Sequence, residues 1–248
     1  MASTLQGAPA VPRVPAAGRY RLLDKYFYFA MSLLIAAIVV AGFSRTVNQN
    51  LFHPPVPRPF ILWIHAAAFS LWVVFYILQS ALVRVHKVKW HRLLGWFGAG
   101  LAAFMAPLGI ATAVIMGRFD KHVENIKDAN TFLSVPFADM LIFPTLIGLA
   151  IYWRRKPELH RRLLFVGTCC LLDAAFGRFD FLSKYTLYFF ALDAVILLGV
   201  ARDLLVNRRV HIVYRVALPS LLVIQVFVIY LYRGAPAWWF NIGHAILG

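Results

Sequence analysis

Seven apolar stretches, most of them about as long as a bilayer is thick, leave this chain few ways to fold. They run approximately Tyr26–Phe43, Phe60–Val83, Leu93–Met116, Pro136–Trp153, Leu163–Phe176, Tyr185–Leu205 and Val216–Tyr232. A helix needs about 20 apolar residues to cross a bilayer, so seven crossings use most of a chain of this size. Only helices and closed barrels satisfy every backbone group in lipid. The stretches are apolar throughout instead of alternating, which argues against a barrel. The predicted fold is all-α: a polytopic membrane protein built as a seven-transmembrane-helix bundle. Charged residues make up only 14% of the chain, against about 25% in soluble domains. No large water-soluble catalytic domain fits into what remains.

The chain holds 25 Lys and Arg against 10 Asp and Glu. Positive charge of this kind collects on cytoplasmic loops, so membrane topology explains it and nucleic acid is not an expected partner. With the N-terminus inside, 17 of the 25 basic residues fall at the tail, residues 84–92, 154–162 and 202–215. The expected orientation is N-terminus cytoplasmic, C-terminus periplasmic. Residues 1–18, rich in Ala and Pro, read as a disordered cytoplasmic tail. Residues 19–234 form the transmembrane domain, and 235–248, with Trp238, Trp239 and Phe240, read as a periplasmic interfacial tail. Residues 117–135 read as a short surface helix bearing an acidic stripe of Asp120, Glu124 and Asp128. Cys169 and Cys170 are adjacent and cannot staple distant segments.

The third stretch carries small residues at Gly95, Ala99, Ala102, Ala106, Gly109 and Ala113. Spacings of three and four keep them on one face, where membrane helices approach closely. That face is expected to pack other helices, other membrane subunits or a second copy of the chain. Gln79 and Gln225 are expected to hydrogen-bond between helices.

Ionisable side chains inside the spans cost roughly 2.5–3.5 kcal/mol each at the bilayer centre on insertion scales, so each needs a reason. They are His65, Asp139, Asp173 and Asp193, with Arg178 and Asp180 just above Asp173. At ~1.5 Å per residue, His65, Asp139 and Asp173 fall within one turn or so of the outer boundary, and Asp193 lies deeper. Three readings compete for this layer. It is a buried polar network that pins the helices, a metal site with His65, Asp139 and Asp173 as N/O ligands, or a proton or substrate relay.

A second set of histidines lies at the inner ends. His91 in WHRLLG, His160 in LHRRLL and His211 in VHIVYR each start a returning helix, a weak internal repeat of three hairpins. His91 and His160 are candidate haem ligands, since membrane b-type cytochromes hold haem between histidines on different helices. Arg92 and Arg161 would then meet the propionates. Snorkelling interface residues are the competing reading.

The segments HAAAFSLWVVFYILQSALV, WHRLLGWFGAG and RRKPELHRRLLFVGTCCLLDAAFGRF resemble an uncharacterised group of bacterial multipass inner-membrane proteins. The positions that carry the resemblance are His65, Trp72, Gln79, His91, Arg92, Gly95, Pro157, His160, Arg162 and Arg178. It implies an inner-membrane helical bundle and no particular activity. A weaker likeness to b-type transmembrane cytochromes rests on the helix-end histidines. The leading expectation is a polar ligand, metal or haem site in the bundle, with redox chemistry; the cofactor would be haem b or a transition metal. The alternatives are a non-catalytic accessory subunit of a larger membrane complex and a proton-coupled small-solute transporter.

Overall fold

A computed structural model describes residues 21–248, so the expected tail at 1–18 lies outside the described residues. Among the described residues every regular element is helical. The long helices are α1 (Arg21–Phe43), α2 (Ile61–Arg84) and α3 (Val88–His122); a short α4 (Ala129–Phe132) leads into α5 (Ser134–Tyr152). Next comes α6 (Pro157–Cys169), continued by a 3-10 turn (Cys170–Leu172) and α7 (Asp173–Phe176). A short α8 (Asp180–Lys184), then α9 (Tyr188–Asn207), α10 (Ile212–Arg233) and a terminal α11 (Ala237–Leu247) complete the chain. Five helical segments are long and apolar enough to cross a membrane: Leu22–Phe43, Ile61–Arg84, Val88–His122, Ala129–Tyr152 and Ile212–Arg233. They mark a multipass membrane protein.

Short connections make antiparallel neighbours. Thus α2 packs on α3, α5 packs on both α3 and α6, and α1 reaches α2, α7 and α9. The core runs through the middle of the bundle, where Ile35, Phe165, Val166, Cys169, Leu172, Leu192 and Ile196 are fully buried. A second cluster joins Trp72 of α2, Ala102 and Met105 of α3, and Phe143 of α5.

The small face of α3 is largely used within the chain. Ala102 is buried in that second cluster, and a side chain at Gly109 would collide with Met140 of α5. The middle of that face is therefore occupied by helices of the same chain. Gly95 faces open space, while Gly98, outside the expected row, lies against Phe75. A close backbone approach also occurs at Gly42 of α1, where an added Cβ would overlap the Ala175 backbone carbonyl of α7. Backbone cannot rotate away as a side chain can. Gly42→Leu is therefore expected to lower stability by about 1–3 kcal/mol or more, read as thermal unfolding in detergent.

The region after the third stretch and the tail differ from the sequence reading. The third helix continues to His122, so no separate surface helix forms at its end. Gly117, which looks like a break, instead seats Leu247 of α11. The acidic stripe is partnered and not free: Arg58 reaches Glu124 at 2.6 Å and Asp120 at 3.7 Å, and Tyr232 donates to Asp128 at 2.8 Å. The tail is a packed helix whose Gly243 lies on the Asn130 backbone and whose Trp239 donates to the Thr131 carbonyl at 3.0 Å.

Candidate functional site

The polar layer of Asp139, Asp173 and Arg178 forms where the 3-10 turn interrupts the helical run from Pro157 to Phe176. A tightened turn in mid-helix often marks a working position. Asp173 follows it directly and takes its own neighbour's N–H, with Ala174 N at 2.6 Å from Oδ1. Across the interface the Asp139 carboxyl of α5 lies beside that of Asp173. Asp193 of α9 accepts from Gln225 of α10 at 3.1 Å, so one of the two glutamines bridges helices as expected. The Gln79 side chain is buried and has no partner among the described residues.

Arg178 approaches this layer without forming an ion pair among the described residues. Its Nε donates to Thr46 Oγ1 at 2.9 Å, its Nη1 donates to the Ala174 carbonyl, and it stacks over Phe43 at 3.7 Å. The expected pairing of Arg178 with Asp173 or Asp180 is thus replaced by a charge held near Asp173 and His65. His65 stacks on Phe69, one turn along its own helix, at 4.0 Å, and its buried Nδ1 has no partner among the described residues. Among the described residues no group of three or more His, Cys, Asp or Glu could hold a metal ion. His65, Asp139 and Asp173 therefore do not assemble as a three-ligand metal site.

The neighbouring carboxyls give a direct expectation. In Asp173→Asn the amide oxygen can keep the Ala174 N–H and the amide NH₂ can donate to Asp139. The variant should stay within about 1 kcal/mol of the parent, the usual worth of one net hydrogen bond. A loss of several kcal/mol in detergent unfolding would mean that both carboxyls are needed charged.

A larger polar assembly, which the sequence reading missed, sits at the other end. Arg162 and Asp203 are fully buried and pair bidentately, Nε–Oδ2 at 2.9 Å and Nη2–Oδ1 at 2.5 Å. Arg202, also buried, donates to Asp203 Oδ1 at 2.6 Å and pairs with Asp24 of α1. Glu158 binds Arg162 at 2.6 Å and Arg161 at 2.7 Å. Above them opens a cleft of about 600 Å³ lined by Asp24, Glu158, Arg161, Arg162, Arg202, Asn207, Arg209 and His211. Burial, and then the Arg162 charge, hold the His211 imidazole below its ordinary pKa. Accordingly its Nδ1 accepts the Val213 N–H at 3.2 Å and caps α10. Asp203 was legible by the same insertion cost that singled out Asp193, because it is flanked by Leu204 and Val200.

The inner-end histidines also come together. His91 and His160 are each the fourth residue of their helices, and their ring centres lie 6.2 Å apart at 79°. Short loops after α2 and α5 set that register. His160 Nδ1 donates to the Ala150 carbonyl at 2.8 Å, which leaves the Nε2 lone pair available. His91 Nδ1 is buried with no partner among the described residues. Arg161 does not flank this pair as expected; it turns into the cleft toward Glu158, and only Arg92 remains exposed beside it. His211 caps its helix from outside, one turn out of register with the other two.

No protein-family model, no curated protein and no solved structure matches the chain.

Proposed function

We propose that this chain is a seven-span bacterial inner-membrane protein that holds haem b between His91 and His160 and serves as a one-electron carrier. Two further helical segments, Pro157–Phe176 and α9, pack beside the five apolar spans, which supports a count of seven. The placement of 17 of 25 basic residues supports a cytoplasmic N-terminus and a periplasmic C-terminus. The resemblance to bacterial multipass proteins supports the compartment.

The observation that carries the reading is the imidazole pair. A ring nitrogen binds a metal at about 2.0–2.1 Å and lies about 1 Å from its ring centre, so two imidazoles on one metal have centres about 6 Å apart. The 6.2 Å separation fits that requirement. The donor chemistry fits too. The Ala150 carbonyl fixes the tautomer and orientation of His160, the usual second partner of a metal-bound imidazole. Two protein ligands leave a bare tetrahedral metal underfilled, whereas they are the full protein complement of a bis-histidine haem. Haem b, when bound, supplies reversible one-electron chemistry. The chain's own part is to present the two nitrogens, exclude competing ligands, and set Arg92 near the inner surface, where it can meet a carboxylate.

Absorption spectra of the purified protein, oxidised and reduced, test this. A Soret band at one haem per chain is the expected result; a protein purified from haem-replete membranes with no band would end the reading and favour an accessory subunit. A second reading, proton coupling in the outer layer, is favoured by the Asp139–Asp173 contact.

A further inference from the structure

We infer that the inner cleft between α1, α6 and α9 is a binding site for a phosphate group, carried either by a soluble phosphorylated molecule or by an anionic lipid headgroup. Four guanidinium groups line it, those of Arg161, Arg162, Arg202 and Arg209. Three carboxylates oppose them: Asp24, Glu158 and, beneath the floor, Asp203. One positive charge is left over. Arg209 is exposed and has no ion pair among the described residues.

The two halves of the network differ in a way that suits a ligand. Asp203 is fully buried and fixes Arg162 and Arg202 in place, so the guanidinium floor is held before anything binds. Asp24 and Glu158, by contrast, keep 47% and 55% of their side-chain surface exposed, so they can swing out to water. Arg202, itself buried, has an Nε with no partner among the described residues, and so does Arg161. These are donors left over after every carboxylate has been used. A ligand that displaces Asp24 and Glu158 meets a surplus of three positive charges, which suits an anionic phosphate group, most fully a monoester at −1.5 to −2. Guanidinium forks match phosphate oxygens in pairs. A cleft of about 600 Å³ is far larger than a bare ion needs and lies within the range of small-molecule sites. Basic pockets between membrane helices on the cytoplasmic side are also where lipid phosphates bind. The site does not depend on haem, and its test is readable whether or not haem is bound.

The test is thermal unfolding in nanodiscs, with wild type and Arg209→Gln compared. Arg209 is exposed and its loss leaves the buried network intact. One arm titrates glycerol phosphate into phosphatidylcholine discs, with sodium chloride at matched ionic strength as control. The other compares phosphatidylcholine discs with discs containing phosphatidylglycerol. A saturable rise of about 5–10 °C at ligand well above its dissociation constant is expected, with binding about ten- to hundredfold weaker in Arg209→Gln. A rise with glycerol phosphate identifies a soluble phosphorylated ligand; a rise only with phosphatidylglycerol identifies a headgroup; both support the site. No rise in either arm, a rise equalled by chloride, or a rise unchanged in Arg209→Gln overturns it.

Discussion

Asp203→Ala is expected to be the most destabilising single substitution in this chain, by about 3–5 kcal/mol. Its carboxylate receives both Nε and Nη2 of Arg162 and Nη1 of Arg202, and both arginines are almost wholly buried. Removing one partner leaves two buried guanidinium groups at the floor of the cleft with too few acceptors. The pair's own net worth is smaller, because taking charges out of water offsets most of their attraction. Hence replacing the three residues together, Arg162→Met, Arg202→Met and Asp203→Leu, should cost less than Asp203→Ala alone. Asp203→Asn, which keeps an acceptor but no charge, should fall between them. Thermal unfolding in detergent orders the series, and a near-neutral Asp203→Ala would mean that water or another carboxylate already serves the arginines.

The other large effect concerns the histidines. His91→Ala and His160→Ala should each abolish stoichiometric haem while leaving the apoprotein folded. Neither ring fills the core: both are half-buried at helix starts, and His160 contributes one hydrogen bond to Ala150. Loss of that bond costs about 1 kcal/mol, against complete loss of a bound cofactor. A variant that retains full haem would exclude that histidine as a ligand.

Helix type and approximate position were legible from hydropathy because lipid admits so few alternatives. Where the reading slipped, tertiary packing decided. Arg161 and Arg162 look like one basic loop, so the fifth segment was begun at Leu163; in the structure Pro157 starts the helix and Arg162 is buried. Nothing local distinguishes the two arginines. The distinction comes from Asp203, 41 residues away, which receives one of them. Gly117 similarly reads as a stop until Leu247 is laid on it. In the outer layer the depths of His65, Asp139 and Asp173 could be estimated from helix boundaries, but not their rotation about each helix axis. That rotation brings the two carboxyls together and stacks His65 on Phe69. The pairing of His91 with His160 was accessible because equivalent positions after two short basic loops place both rings at one end of the bundle.

Carbon monoxide added to the reduced, haem-loaded protein bears most directly on the paired imidazoles at 6.2 Å. If His91 and His160 hold the iron together, they would leave no position for an outside ligand. The reduced spectrum is therefore expected to stay unchanged under carbon monoxide in the wild type, with the Soret band at one haem per chain. A carbon monoxide shift in the wild type, or haem bound undiminished in the His91→Ala, His160→Ala double variant, would contradict a haem held between these two side chains.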